Sequence, residues 1–234
     1  MSVAAASKPM IFGVGLSRTG TSSLTAALEA MGIATIHNDR AFTPHLHDEH
    51  GGHSYNFTHH FENFYDRKGA VVDIPTAAYY KELLVHYGDR AKFILTERNP
   101  SSWFASFASY LERLCKLRHG QQPRTVAALH KHVYGSEMPN ATLWKARFVA
   151  HNKAVRAAIP THQLLVLNVT RGDGYRPLCE FLGSTAGPCA SRGDHRFPHL
   201  NQLAALPEPA AQRSVPCAET AAARKCAIAP DAGT

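Results

Sequence analysis

No apolar run in this chain approaches the length that spans a bilayer, and residues 1–9 (Met-Ser-Val-Ala-Ala-Ala-Ser-Lys-Pro) lack a signal peptide's apolar core. Both absences predict a cytoplasmic protein without a membrane span. Cysteine is sparse. Cys115, Cys179, Cys189, Cys217 and Cys226 are odd in number, widely spaced and free of any Cys-x-x-Cys pair, which predicts reduced thiols. Long basic blocks are also missing, although the net charge is +7. A dispersed excess of this kind suits a polyanionic small ligand, whereas nucleic-acid and membrane surfaces call for clustered Lys and Arg. There is no internal repeat. What the chain does have is apolar content, 44% of 234 residues, enough for one substantial core in one domain.

Strand-like runs near 10–15, 33–37, 70–74, 92–97 and 163–168 alternate with helical patterns near 20–31, 75–87, 101–118, 124–133, 140–158 and 175–182. Alternation of this kind predicts an α/β fold, a three-layer sandwich with a parallel sheet of about five strands between helices. Residues 1–9 read as a flexible N-terminus, 10–202 as the domain, and the Ala- and Pro-rich stretch 203–234 as a disordered tail.

The segment Ile11-Phe12-Gly13-Val14-Gly15-Leu16-Ser17-Arg18-Thr19-Gly20-Thr21-Ser22-Ser23 passes from an apolar strand through a Gly/Ser/Thr loop into a helix. Such a junction aims backbone N–H groups and a helix N-terminus at an anion. Gly15 and Gly20 have Walker spacing, but Thr21 stands where the Walker Lys belongs, and the loop's cation is Arg18. A second segment, Lys92 to Pro100, ends an apolar strand in Arg98-Asn99-Pro100, and Ser106 follows Arg98 by two helical turns. A third pairs Gly174-Tyr175-Arg176-Pro177-Leu178-Cys179-Glu180-Phe181-Leu182-Gly183 with Phe197-Pro198-His199-Leu200-Asn201.

Together these motifs resemble the P-loop sulfotransferases that use 3′-phosphoadenosine 5′-phosphosulfate, in the compact branch whose loop reads Gly-Leu-x-Arg-Thr-Gly-Thr. The resemblance covers about residues 10–202. It implies transfer of a sulfuryl group to a hydroxyl or amine of a small-molecule acceptor, leaving adenosine 3′,5′-bisphosphate, without a metal. Ser17, Arg18, Thr19, Gly20, Thr21 and Ser22 would then bind the 5′-phosphosulfate, with Arg18 also catalytic, and Arg98 with Ser106 would bind the 3′-phosphate. Arg192 and Arg196 are the nearest candidates for the family's late basic residues. Two alternatives stay open: a P-loop phosphotransferase, which would need Mg²⁺ and a Lys the loop lacks, and a nucleotide-binding protein without catalysis.

A base must take the acceptor's proton. Asp73, in Val72-Asp73-Ile74-Pro75, occupies the strand-end position of the family's catalytic residue, and a helix N-cap is its structural alternative. His37, at the end of strand two, belongs to the residue type whose ordinary charge change lies nearest neutral pH, and it rivals Asp73. His45, His47, His50, His53, His59 and His60 lie in a Gly-, Asp- and Asn-rich stretch without zinc-motif spacing, read as an acceptor-side loop. Ser23 stands where cytosolic relatives carry an adenine-stacking Trp, and Trp103, Phe104 or Tyr110 could stack in its place. Acceptor identity and oligomeric state are not encoded in these patterns.

Overall fold

The computed structural model describes residues 9–39, 61–117, 121–191, 195–200 and 227–229. Five of its strands form one fully parallel sheet: β1 (Met10–Gly13), β2 (Thr35–His37), β3 (Ala70–Val72), β4 (Ala91–Thr96) and β6 (Leu164–Leu167). Their order across the sheet is β2-β3-β1-β4-β6. A separate parallel pair joins β5 (Gln121–Pro123) to β7 (Ala227–Ala229). The helices are α1 (Thr21–Ala30), α2 (Tyr80–Tyr87), α3 (Pro100–Leu117), α4 (Arg124–Tyr134), α5 (Ala141–Ala158) and α6 (Tyr175–Leu182).

Side-chain alternation along β1 explains the layering. Ile11 joins Val72, Ile94 and Leu167 beneath α1 and α6, where Leu24, Leu28, Tyr175 and Leu178 close one core. Met10 and Phe12 face the other way, with Val71, Phe93 and Leu95, onto Tyr80, Leu83 and Tyr87 of α2 and Val155 of α5. Both sheet faces are covered, which is why the strands read as apolar runs with little polar alternation. A third cluster, built from Leu16, Ile74, Trp103, Phe107, Tyr134, Trp144 and Phe148, lies among α3, α4 and α5 and adjoins the loop after β1.

The topology creates a crevice at the carboxyl end of β1. That strand sits between β3 and β4, and α1 and α2 leave toward opposite faces of the sheet. Open α/β sheets bind ligands at such a switch point. The register aligns Gly13 with Val72 and Ile94, and His37 with Val72, so residues leaving β1, β2, β3 and β4 emerge along one edge.

Local signals account for most boundaries. Asn99 Oδ1 accepts from the Ser101 and Ser102 N–H groups (3.0 and 3.2 Å), capping α3 with Pro100 in its first turn. Asn140 Oδ1 does the same for α5, accepting from Leu143 N at 2.9 Å. The chain beyond Pro75 departs from expectation: a 3₁₀ turn, Thr76–Tyr79, precedes α2, and the Ile74–Pro75 peptide is cis.

Two further expectations are corrected. Cys179 and Cys189 are disulfide-bonded, with Cα atoms 5.6 Å apart, so the five thiols are not all reduced and the cysteine argument for a reducing compartment falls. Wide spacing misled because the bridge spans two neighbouring elements, α6 and the turn Gly187–Cys189. Within the tail expected at 203–234, Ala227–Ala229 instead pair with β5; residues 203–226 and 230–234 lie outside the described residues. None of the described helices is long and apolar enough to cross a membrane.

Candidate functional site

The loop 14–20 is held at both flanks by the sheet and by α3. Gly15 packs so tightly on β4 that a Cβ there would lie 2.0 Å from Thr96 Oγ1 and 2.6 Å from the Thr96 carbonyl oxygen. Thr19 is buried, its hydroxyl donating to the Leu16 carbonyl (2.7 Å) and meeting Thr96 Oγ1 (2.6 Å). Trp103 Nε1 donates to the Ser17 carbonyl (2.8 Å), and His151 Nε2 lies 2.8 Å from the Val14 carbonyl, which it can meet only as a donor. Gly20, at φ 110°, turns the chain into α1, whose first-turn N–H groups have no carbonyl of their own helix to bond.

At one side of this loop stand three guanidinium groups. Arg18 Nη2 donates to Ser106 Oγ (3.4 Å), and its Cζ lies 4.8 Å from the centre of the Tyr110 ring. Arg98 Nη1 donates to the Arg18 carbonyl (3.4 Å) and its Nε to Ser102 Oγ (3.1 Å). Burial pushes Arg18 below its ordinary range; Arg113 and Arg98 push the same way, while Tyr110 and Asp73 act against them. Burial lowers Arg98 as well. Arg18 Nε is buried without a hydrogen-bond partner among the described residues. Partly desolvated cations with an unsatisfied donor describe a place prepared for an anion.

At the other side, Asp73 gathers hydroxyls. Its Oδ1 accepts from Ser17 Oγ (2.5 Å) and the Ile74 N–H (2.7 Å); Oδ2 accepts from Thr21 Oγ1 (2.9 Å) and faces His37 Nε2 at 3.1 Å. His37 Nε2 is also 3.3 Å from Thr21 Oγ1. Asp73 is therefore not the N-cap of the following turn, since its carboxylate looks back toward the loop.

Residues 10–206, most of the chain, match the family described as the sulfotransferase domain. The chain belongs to this sulfotransferase family. A protein of Aspergillus versicolor named Ava biosynthesis cluster protein M is 29% identical to it over 213 residues, covering 80% of this chain and 78% of that protein.

In this chain, the residues expected from the sequence divide into three groups. Ser17, Arg18, Thr21, Arg98, Ser106, Asp73 and His37 converge around the β1–α1 junction. Gly20 and Ser22 frame the start of α1. Thr19 departs from its expected ligand role: its hydroxyl and its N–H both turn to the Leu16 carbonyl, and the hydroxyl also meets Thr96 Oγ1 of β4. Arg196 is exposed, on a stretch that returns to α1 where the Leu200 N–H donates to Ser23 Oγ (3.0 Å). Arg192 and the histidines at 45, 47, 50, 53, 59 and 60 lie outside the described residues.

Three positions take roles the sequence did not assign. Trp103 is no adenine platform; it is fully buried, stacks on Phe148 with ring centres 4.3 Å apart, and anchors the loop. Tyr110 covers Arg18, and Arg113 adds a third cation. The signal was present in the spacing: Ser102, Ser106, Tyr110 and Arg113 recur at helical intervals and line one face of α3.

Proposed function

We propose that the protein transfers a sulfuryl group from 3′-phosphoadenosine 5′-phosphosulfate to a hydroxyl or amine of a small molecule. The observation that carries this reading is the convergence of Arg18, Ser106 and Arg98 beside the first turn of α1, with Arg18 Nε buried and without a hydrogen-bond partner among the described residues. The donor set fits a doubly phosphorylated nucleotide. Arg18 and the α1 N–H groups would take the 5′-phosphosulfate, and Arg98 with Ser106 the 3′-phosphate. Arg196 and Arg192 remain candidates for its outer edge. When bound, the donor supplies a sulfuryl group whose leaving group is a phosphate, transferable by in-line displacement.

The chain's own residues then have separate tasks. Arg18 is placed to hold charge that builds on the leaving oxygen, in a partly dry setting where such an interaction is strong. Ser17 and Thr21 tie the loop to Asp73. The proton of the acceptor goes to the Asp73–His37 pair. A sulfuryl group carries less charge than a phosphoryl group, so the arginines and N–H donors suffice without a metal. A phosphotransferase would instead need a Lys at Thr21. The A. versicolor relative is named for a biosynthesis cluster, which agrees with a small-molecule acceptor.

The test is thermal stabilisation by adenosine 3′,5′-bisphosphate in the absence of magnesium, followed by an acceptor panel of phenols, alcohols and amines with labelled donor. Stabilisation by the bisphosphate and label on an acceptor are expected. Preference for magnesium-ATP, with no response to the bisphosphate, would refute the reading.

A further inference from the structure

Asp73 has little capacity left for an incoming proton. An ionised carboxylate presents about four lone-pair sites, and here Ser17, Ile74, Thr21 and His37 address all of them. The residue is also buried. His37 differs on each count. Its side chain is 33% exposed, Nε2 is engaged by Asp73 and Thr21, and Nδ1 has no hydrogen-bond partner among the described residues. A carboxylate facing one ring nitrogen favours the proton there and leaves the lone pair on the other.

Backbone conformation singles out the same place. The non-glycine residues with positive φ, among those described, are Arg18 (72°), Asn38 (58°) and Asp73 (83°). One is the loop cation, one follows His37 directly, and one is the carboxylate between them. Left-handed backbone at non-glycine residues is costly and persists where surrounding contacts impose it. Here those contacts include the Asn38 N–H bond to the Val72 carbonyl (2.9 Å) and the Asp73 N–H bond to the Gly13 carbonyl (3.2 Å). These bonds set the separation of cation, carboxylate and imidazole.

We propose that His37 Nδ1 is the proton acceptor of the transfer and that Asp73 is a positioning residue, which orients His37 and, through Ser17 and Thr21, ties it to the anion loop. The inference rests on the sulfuryl-transfer reading and assigns the base within it. The acceptor oxygen gives its proton to Nδ1 as its bond to sulfur forms. The bond from sulfur to the 5′-phosphate oxygen breaks, and its electron pair stays on that phosphate. The imidazolium then releases the proton to water. Among the described residues, the charged group that meets His37 is Asp73 from the end of β3, and Arg18 acts through space on Asp73. Thr21 of α1 is neutral.

The substitution Asp73→Asn separates the roles. The Ile74 N–H can only donate, so the Asn oxygen stays beside it and the amide NH₂ faces His37 Nε2. That donor forces the ring proton to Nδ1 and removes the base. Nitrogen-15 NMR of the full chain should show a bare Nδ1 in the wild type and a protonated Nδ1 in Asp73→Asn. In turnover with an acceptor from the panel, His37→Gln should lower kcat by about 10²–10⁴-fold, the usual worth of a general base. Its bisphosphate Kd should stay unchanged, and the acid-side inflection of the kcat profile should vanish. A wild-type ring protonated at Nδ1, or a His37→Gln variant with kcat within threefold of wild type, overturns the proposal. Wild-type protein that fails to bind the bisphosphate overturns the donor reading itself and this proposal with it; intact binding with unaltered kcat in His37→Gln overturns only the proposal.

Discussion

Replacing Gly15 by Ala tests the structural basis of the loop. The added Cβ would meet Thr96 at three points: Oγ1 at 2.0 Å, the carbonyl oxygen at 2.6 Å and the amide nitrogen at 2.8 Å. The first contact can be relieved by rotating the Thr96 side chain, at the expense of its bond to Thr19 Oγ1. The other two are backbone atoms of β4, so β1 and β4 must part where Val14 N still bonds the Ile94 carbonyl at 2.9 Å. Overpacking a tight interior costs about 1–3 kcal/mol, and one lost buried hydrogen bond about 0.5–1.5 kcal/mol. Together they amount to roughly 2–4 kcal/mol, or about 4–16 °C in Tm for a domain of this size. Calorimetry on Gly15→Ala, Thr96→Ala and the double variant separates the causes. If backbone contact dominates, Thr96→Ala will not rescue Gly15→Ala; if the hydroxyl clash dominates, it will. Displacement of the loop should also abolish stabilisation by the bisphosphate. A Gly15→Ala protein melting within 1 °C of wild type would show that the Gly15–Thr96 approach does not shape this loop.

Three further outcomes are expected. Arg18→Ala should weaken bisphosphate binding by about 10–150-fold, the range for one hydrogen bond to a charged group; calorimetric titration showing under threefold loss would remove Arg18 from the anion site. Reduction of the Cys179–Cys189 bond, which closes a short loop with a sequence separation of 10, should lower stability by about 2–3 kcal/mol on the loop-entropy account, visible as a reductant-dependent drop in Tm that Cys189→Ser no longer shows. His130 is buried among Phe107, Tyr134 and Trp144, and burial pulls its pKa down to about 4. Its unfolded value is near 6.5, so the unfolded chain takes up a proton first as pH falls. Stability from neutral His130 is thus complete above about pH 6.5 and lost toward pH 4, by about 3 kcal/mol at the low end. Urea midpoints should fall less steeply with acid in His130→Gln than in wild type, and identical slopes would refute the assignment.

Much of the fold and half of the site were legible before any coordinates. Strand positions could be read because parallel strands buried on both faces are short apolar runs, and α3 because Asn99-Pro100 starts it. The pairing of Arg18 with the Arg98–Ser106 motif was legible because each sits just past a strand, and strand ends in this architecture share one edge. The resemblance to the sulfotransferase family was legible in local order in the loop, above all in Thr21 where a Lys would mark an ATP site.

Other features arise between segments far apart in sequence, and pattern cannot see them. The insertion of β3 between β1 and β2 brings Asp73 to the hydroxyls of Ser17 and Thr21 and to His37. Without that order Asp73 reads equally well as a helix cap. Thr19 was expected to be a ligand donor along with its neighbours, but the proximity of β4 turns its hydroxyl inward. Trp103 and Tyr110 share a helix and an aromatic character, yet one is loop anchor and the other covers a guanidinium, since only packing decides which face each occupies. The sequence by itself determined the strand–loop–helix junction proposed to hold the anion, with its arginines, because that junction depends on backbone conformations that adjacent residues impose. Only the tertiary structure decided which carboxylate, imidazole and aromatic side chains stand around that junction, because strand order and packing set distances that no local spacing contains.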